Sequence, residues 1–183
     1  SRLVRFFTKA DQVVLDPFVG IGSSLKAAAV EGRRGIGIEL SPHFADLARQ
    51  RLETELSGGL FPVPEQTVLE GDARDLLPTL ETDSVDLVVT SPPYWQILHK
   101  KDHKARQERE DKGLATRYSE DDPRDLGNIE SYETFRKELT SIFGECSRVL
   151  RPKQYFCAIV GDFRDGGRYH MFHADLAADL EEA

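Results

Sequence analysis

The hexapeptide Thr90-Ser91-Pro92-Pro93-Tyr94-Trp95 carries the densest chemistry in the chain. Its two prolines fix φ and donate no backbone hydrogen bond, so the carbonyls of Ser91 and Pro92 can be held as acceptors. Acceptors suit a substrate that is an amine. An amino group on a heteroaromatic ring is a poor nucleophile because its lone pair is delocalised into the ring. Hydrogen bonds from its two N–H groups to the Ser91 side chain and the Pro92 carbonyl favour tetrahedral geometry and localise that pair on nitrogen. Tyr94 adds a flat face on which an extruded base can stack, and Trp95 either does the same or walls the pocket. Ser91, Pro92, Pro93 and Tyr94 are therefore the expected catalytic residues. Taken alone, the same letters also describe a rigid turn with an aromatic anchor; what precedes them decides between the two.

A second segment, Val14-Leu15-Asp16-Pro17-Phe18-Val19-Gly20-Ile21-Gly22-Ser23-Ser24, puts glycines on a tight turn between a strand and a helix. Open parallel sheets bind ligands at that edge. A dinucleotide site seats pyrophosphate on the helix N-terminus and usually adds a third glycine. Here serines follow Gly22, and Asp16 at the strand end repels pyrophosphate and attracts an ammonium group. That selects S-adenosylmethionine, whose amino acid end carries one, over a nicotinamide cofactor. Glu39 stands 17 residues beyond Gly22 at the end of a second strand, where an acid accepts from ribose hydroxyls. Asp72, after a third, is placed to accept from the adenine amino group. The expected cofactor residues are Asp16, Pro17, Phe18, Gly20, Gly22, Ser23, Ser24, Glu39, Leu40, Asp72 and Ala73.

Short apolar runs alternating with helix-period segments predict the elements that hold these residues, in the manner of βαβ units. Strands are expected over Val13 to Leu15, Gly35 to Glu39, Thr67 to Leu69, Val85 to Thr90 and Tyr155 to Val160. Helices are expected over Ser23 to Glu31, over Pro42 to Leu56 with Ser41 as N-cap, over about Ser131 to Leu150, where Arg151-Pro152 ends it, and over Ala174 to Ala183. The reading is one α/β domain over 1–183, a doubly wound, mostly parallel sheet. Its cofactor half covers about 1–80 and its catalytic half about 81–183, with a mobile loop over about 97–128. The first residue is not Met and no strand follows the last helix, which points to a piece of a longer chain.

The formal charge of -8 argues against binding nucleic acid through bulk electrostatics. Between Lys100 and Arg117, however, seven basic residues face four acidic ones. With Trp95, the residues Lys100, Lys101, Lys104 and Arg106 are the expected substrate contacts; the bland alternative is a solvated loop. Cys146 and Cys157 have no metal-ligand spacing, so no metal is expected, and neither follows a proline, which disfavours carbon-5 cytosine chemistry. His170 and His173 read as packing or solvent residues. The absence of a bilayer-length apolar run and of a secretory pattern predicts a cytoplasmic protein with no membrane partner.

Together, Asp16-Pro17-Phe18-Val19-Gly20-Ile21-Gly22, Gly35-Ile36-Gly37-Ile38-Glu39-Leu40, Thr90 to Trp95 and Gly161-Asp162-Phe163-Arg164 resemble the amino-group DNA methyltransferases of bacteria, archaea and their phages. The resemblance implies a Rossmann-like S-adenosylmethionine-dependent fold and methyl transfer to the exocyclic amino group of a DNA base flipped into the pocket, in restriction-modification or regulation. Serine before Pro-Pro-Tyr is similar to the cytosine-N4 enzymes more than to the adenine-N6 ones. In the enzymes these motifs most resemble, the Pro-Pro-Tyr half comes first; here the order is permuted, and a recognition segment or partner subunit is expected elsewhere. RNA guanine or protein glutamine stand as alternative substrates. A non-catalytic DNA- or cofactor-binding subunit is a further alternative, which the intact Asp16, Glu39 and Ser91 to Tyr94 argue against.

Overall fold

Val13–Asp16 (β1) and Val85–Thr90 (β4) are buried along their whole length, as strands covered on both faces must be. With Arg34–Glu39 (β2), Gln66–Glu70 (β3) and Leu150–Ala158 (β5) they form a parallel sheet in the order β3-β2-β1-β4-β5. Because β2 lies on one side of β1 and β4 on the other, the order reverses at the exits of β1 and β4. The computed structural model describes residues 1–57, 62–95 and 122–182. The chain falls into two units, Ser1–Pro92 with Thr140–Ala183, and Pro93–Leu139.

In the first unit the helices are α1 (Arg2–Phe7), α2 (Ser23–Val30), α3 (Pro42–Leu56) and α4 (Ala73–Leu76), the last continued by a 3-10 turn at Leu77–Thr79. The helix α5 (Tyr132–Val149) follows, with residues in both units, and then α6 (Phe172–Glu182). The glycines of β2 fall on one face by strand alternation, and that face admits nothing larger. A Cβ on Gly37 would stand 2.7 Å from Val19 Cγ2, and one on Gly35 would stand 2.6 Å from Leu25 Cδ2. This clearance lets the loop after β1 cross β2, where the Val19 N–H donates to the Ile38 carbonyl at 2.9 Å.

Several elements differ from the sequence expectation, among them the following. Strand β5 starts at Leu150 and ends at Ala158, so it begins five residues early. A register shift between Val85 and Leu87 accommodates Pro152 and the positive φ of Lys153. An edge strand tolerates proline because one side of its backbone needs no partner. Arg151 within this bulge pairs with buried Asp86 at 2.6 Å, and the same carboxylate accepts from Val13 N–H at 2.8 Å. Second, the short helix α1 buries Val4 but little else, too little periodicity to read from sequence. Third, Phe163–Asp165 (β6) and Arg168–His170 (β7) pair antiparallel. Their link is Gly166-Gly167, both at positive φ, the signature of a two-residue hairpin turn. His170 is a packing residue, buried with its ring stacked 5.0 Å from that of Phe163.

Within the second unit, Asp125 caps the 3-10 turn Leu126–Asn128 by accepting from Gly127 N–H, and the Ser131 hydroxyl accepts from Thr134 N–H at the start of α5.

These packing differences predict opposite signs for two glycine substitutions. Gly37→Ala forces Val19 aside and is expected to lower unfolding free energy by about 2 kcal/mol. Gly144→Ala, on α5 with open space where the Cβ would go, is expected to raise it by roughly 0.5–1 kcal/mol. Urea denaturation of the two variants beside wild type checks both.

Candidate cofactor and amine site

Parallel strands exit at one edge, so the sheet collects Asp16, Glu39, the turn to Asp72, and Thr90 there. Asp16 is the most constrained. Only 5% exposed, it accepts from Phe18 N–H at 3.1 Å and from the Thr90 hydroxyl at 2.7 Å on Oδ1, and from the Ser24 hydroxyl at 2.5 Å on Oδ2. Burial pushes its carboxyl above the ordinary carboxylate value, and these hydrogen bonds pull the other way. An ionised carboxylate offers about four acceptor positions. With three taken, the remaining one on Oδ2 suits a single further donor such as an ammonium.

Around Asp16 the glycine turn is shaped by backbone conformation. Gly20 and Gly22 have φ of +53° and +82°, which residues with a Cβ adopt at a cost of roughly 1 kcal/mol or more. Gly22 ends the turn as the residue before α2, and a Cβ on it would press on Ala48 at 3.3 Å. Among the described residues, a Cβ on Gly20 would meet nothing within 4 Å, which leaves room for a ligand on that side of the loop. Ser23 and Ser24 open α2: Ser24 is bound to Asp16, and Ser23 accepts from Arg51 Nη1 at 3.0 Å. Pro17 is buried, and Phe18 and Leu40 are half-buried.

Glu39 braces the turn from the neighbouring strand. Its Oε2 accepts from Gly20 N–H at 2.9 Å and its Oε1 from Ser41 N–H at 2.9 Å. One carboxylate thus fixes both the glycine turn and the start of α3. Asp72 is engaged differently. It caps α4 through Arg74 N–H, and the Arg74 guanidinium grips both its oxygens, with Nη2 to Oδ2 at 2.7 Å. Its acceptor positions are filled within the chain, so an adenine amino group must displace part of Arg74 to use it. Ala73, the first residue of α4, is buried.

At the exit of β4, the Ile159 N–H donates to the Thr90 carbonyl at 2.8 Å, and the Ser91 hydroxyl donates to the Ile159 carbonyl at 3.2 Å. A carbonyl only accepts, so Ser91 spends its one proton there, and among the described residues both its lone pairs are left as acceptors. That polarity is what an amine substrate requires. Ser91 is exposed and Pro92 buried.

The Pro93-Tyr94-Trp95 part of the motif belongs to the second unit. There Tyr94 is 39% exposed and Trp95 only 8%. The Trp95 indole donates to the Ile129 carbonyl at 2.8 Å, and its ring lies 5.2 Å from that of Tyr132. Tyr94 keeps an exposed ring, whereas Trp95 is an anchor of its own unit. Lys100, Lys101, Lys104 and Arg106 lie outside the described residues, as does the expected loop up to residue 121. Sequence reading missed Arg51, Arg74 and Ile159. The first two sit on helix and turn positions without a distinguishing pattern, and Ile159 acts through its carbonyl, which no side-chain motif encodes.

Residues 1–50 match the family model described as DNA methylase. The type II methyltransferase M.MthZI of Methanothermobacter thermautotrophicus is 42% identical over 55 residues, covering 30% of this chain and 16% of that protein. These matches support the amino-methyltransferase family. A methyltransferase of another description is also similar: the tRNA (guanine(10)-N2)-dimethyltransferase of the same organism, 34% identical over 86 residues, covers 47% of this chain and 23% of its own length. The chain thus spans less than a quarter of these two relatives. Among solved structures, a putative rRNA-methylase from Clostridium thermocellum superposes with a TM-score of 0.62 at 11% identity, over 99% of this chain and 78% of that one. That likeness shows a Rossmann-like fold. Among the described residues no cluster of metal-ligating side chains occurs, and no helix is long and apolar enough to cross a membrane.

The environment of Asp16 predicts how the chain responds to its neutral isostere. Because burial raises the folded-state value, the charged form costs stability that is absent below the unfolded value of 3.8 and accrues as pH rises through the folded one. Asp16→Asn is expected to melt at or above wild type at neutral pH, the gap widening from pH 4 to pH 7. Affinity for an ammonium-bearing cofactor is expected to drop about tenfold or more, the loss of one charged hydrogen bond. Thermal melts at several pH values and titration calorimetry read the two effects separately.

Proposed function

We propose that the chain transfers a methyl group from S-adenosylmethionine to the exocyclic amino group of a DNA base, with cytosine N4 as the preferred position and adenine N6 the alternative. One observation carries the reading: Ser91 gives its only proton to the Ile159 carbonyl, which leaves an acceptor beside the buried Asp16–Thr90 contact. Bound S-adenosylmethionine supplies an electrophilic methyl on a sulfonium. Asp16 takes its ammonium on Oδ2, Glu39 takes ribose hydroxyls, and the side of the loop beside Gly20 admits its amino acid portion. Ser91 and the Pro92 carbonyl accept from the amine and concentrate its lone pair on nitrogen. Tyr94 offers the stacking face for a base rotated out of the duplex. Of these residues, Asp16, Gly20 and Glu39 fall within the DNA methylase match over residues 1–50.

A second reading, RNA guanine N2, draws on the tRNA dimethyltransferase relative, whose similarity runs over 86 residues against 55 for the type II enzyme. Both readings use the same acceptors on an aromatic amine and differ in the polymer that delivers it.

Removing the Ser91 hydroxyl deletes one preorganised hydrogen bond to the reacting group, so Ser91→Ala is expected to slow methyl transfer by roughly 10²-fold. Tyr94→Ala is expected to slow it by about tenfold, the value of one stacking contact. Wild-type turnover in either variant contradicts the role assigned to that residue. Transfer from labelled cofactor to duplex DNA in competition with transfer RNA separates the two readings: label goes to DNA if the first holds and to RNA if the second does.

A further inference from the structure

The glycine turn between β1 and α2 is held from two sides. From the sheet, the Ile38 carbonyl accepts from Val19 N–H and Glu39 Oε2 accepts from Gly20 N–H, each at 2.9 Å. From the helical layer, Arg51 on α3 donates through Nη1 to the Ile21 carbonyl at 3.3 Å and to the Ser23 hydroxyl oxygen at 3.0 Å. A single guanidinium nitrogen thus bridges the residues on either side of Gly22, whose φ is +82°. The sheet fixes N–H groups of the turn, and Arg51 fixes a carbonyl.

Arg51 is itself fixed. Ala48, Arg51, Leu52 and Glu55 share one face of α3 at helical spacing, and that face lies against the turn: a Cβ on Gly22 would stand 3.3 Å from Ala48 Cβ and 3.6 Å from Leu52 Cγ. Arg51 Nε donates to Glu55 Oε1 at 3.0 Å, and Lys26 of α2 pairs with Glu55 Oε2. The Lys26 ammonium first, and then the Arg51 guanidinium, hold the Glu55 carboxyl below its ordinary value, so it stays charged at neutral pH. A guanidinium is a rigid fork of donors and serves Glu55 and the turn together, which the point charge of a lysine does less well. The Arg51 side chain is 30% exposed, so these bonds are largely withdrawn from competing water.

We propose that Arg51 is a positioning residue for the cofactor, holding the glycine turn in the shape that receives the amino acid end of S-adenosylmethionine. The inference rests on the reading of this turn as the cofactor site. Gly20 and Gly22 have no side chains with which to brace the turn, and glycine has the widest choice of backbone conformations to lose. A turn that samples other shapes binds its ligand with an affinity lowered by the fraction of time spent in the receptive one. Arg51 raises that fraction from outside the pocket.

The test is titration calorimetry with S-adenosylmethionine and with methylthioadenosine, which shares its nucleoside and sulfur and lacks the amino acid end. Wild type is compared with Arg51→Ala, Arg51→Lys and Lys26→Gln. Arg51→Ala is expected to bind S-adenosylmethionine about fivefold more weakly, the worth of one net hydrogen bond, with its affinity for methylthioadenosine unchanged. Arg51→Lys is expected to recover part of the loss. Lys26→Gln removes a cation from the same carboxylate and no side-chain contact from the turn, and is expected to bind both ligands as wild type does. The proposal is overturned if Arg51→Ala keeps wild-type affinity for S-adenosylmethionine, or if it weakens both ligands alike, as a general loosening of the fold would. It is also overturned if Lys26→Gln loses as much as Arg51→Ala, which assigns the effect to charge. A wild-type chain that binds the two ligands equally well, or neither, instead removes the reading of the turn on which the proposal rests.

Discussion

The hydrogen bond from the Thr90 hydroxyl to Asp16 Oδ1, 2.7 Å long and between residues 74 apart in sequence, is the contact on which the rest of the site depends. It closes the gap between β1 and β4 at the point where the strand order reverses, the place where sheets of this kind open a crevice for ligands. The same carboxylate holds the first residues of the glycine turn through Phe18 N–H and the start of α2 through Ser24. A buried acid is an expensive component, since water solvates a carboxylate better than a protein interior does. Three donors within the chain offset that cost and orient the one acceptor position left over.

From this contact grows a site organised by backbone geometry and fixed dipoles. Thr90 is positioned by Asp16 through its side chain and by Ile159 through its carbonyl; Ser91, the next residue, inherits that placement and gives its proton to the same Ile159. Glu39 sets the glycine turn from β2 in the same way. Groups whose polarity is set before a substrate arrives need no reorganisation during reaction, and such preorganisation is worth far more away from water than within it. The proposed chemistry asks for acceptors, and the exit of β4 provides them through Ser91.

Much of this frame was legible in the residues. The apolar runs of β1 and β4 name themselves because buried parallel strands admit little else, and Ser41-Pro42 marks the start of α3 from local chemistry alone. The acids at the strand exits could be named for the same reason. Less legible was what each acid touches. Nothing local tells that Arg74 fills Asp72, since an aspartate followed two residues later by an arginine is common on any surface turn. The early start of β5 was hidden by Pro152, which reads as a terminator unless the strand is known to lie at an edge with a bulge. The β6–β7 hairpin was signalled by Gly166-Gly167, but three-residue strands are too short for their alternation to register. The polarity of Ser91 depends on a carbonyl 68 residues away, and that pairing exists only once β4 and β5 are side by side.

The most direct measurement is mass spectrometry of nucleosides from DNA incubated with the protein and isotopically labelled S-adenosylmethionine. The account predicts labelled N4-methylcytosine; labelled N6-methyladenine would keep the mechanism and reassign the base. DNA that carries no labelled methyl group on any exocyclic amine, from a protein shown in the same sample to bind the cofactor, would contradict it.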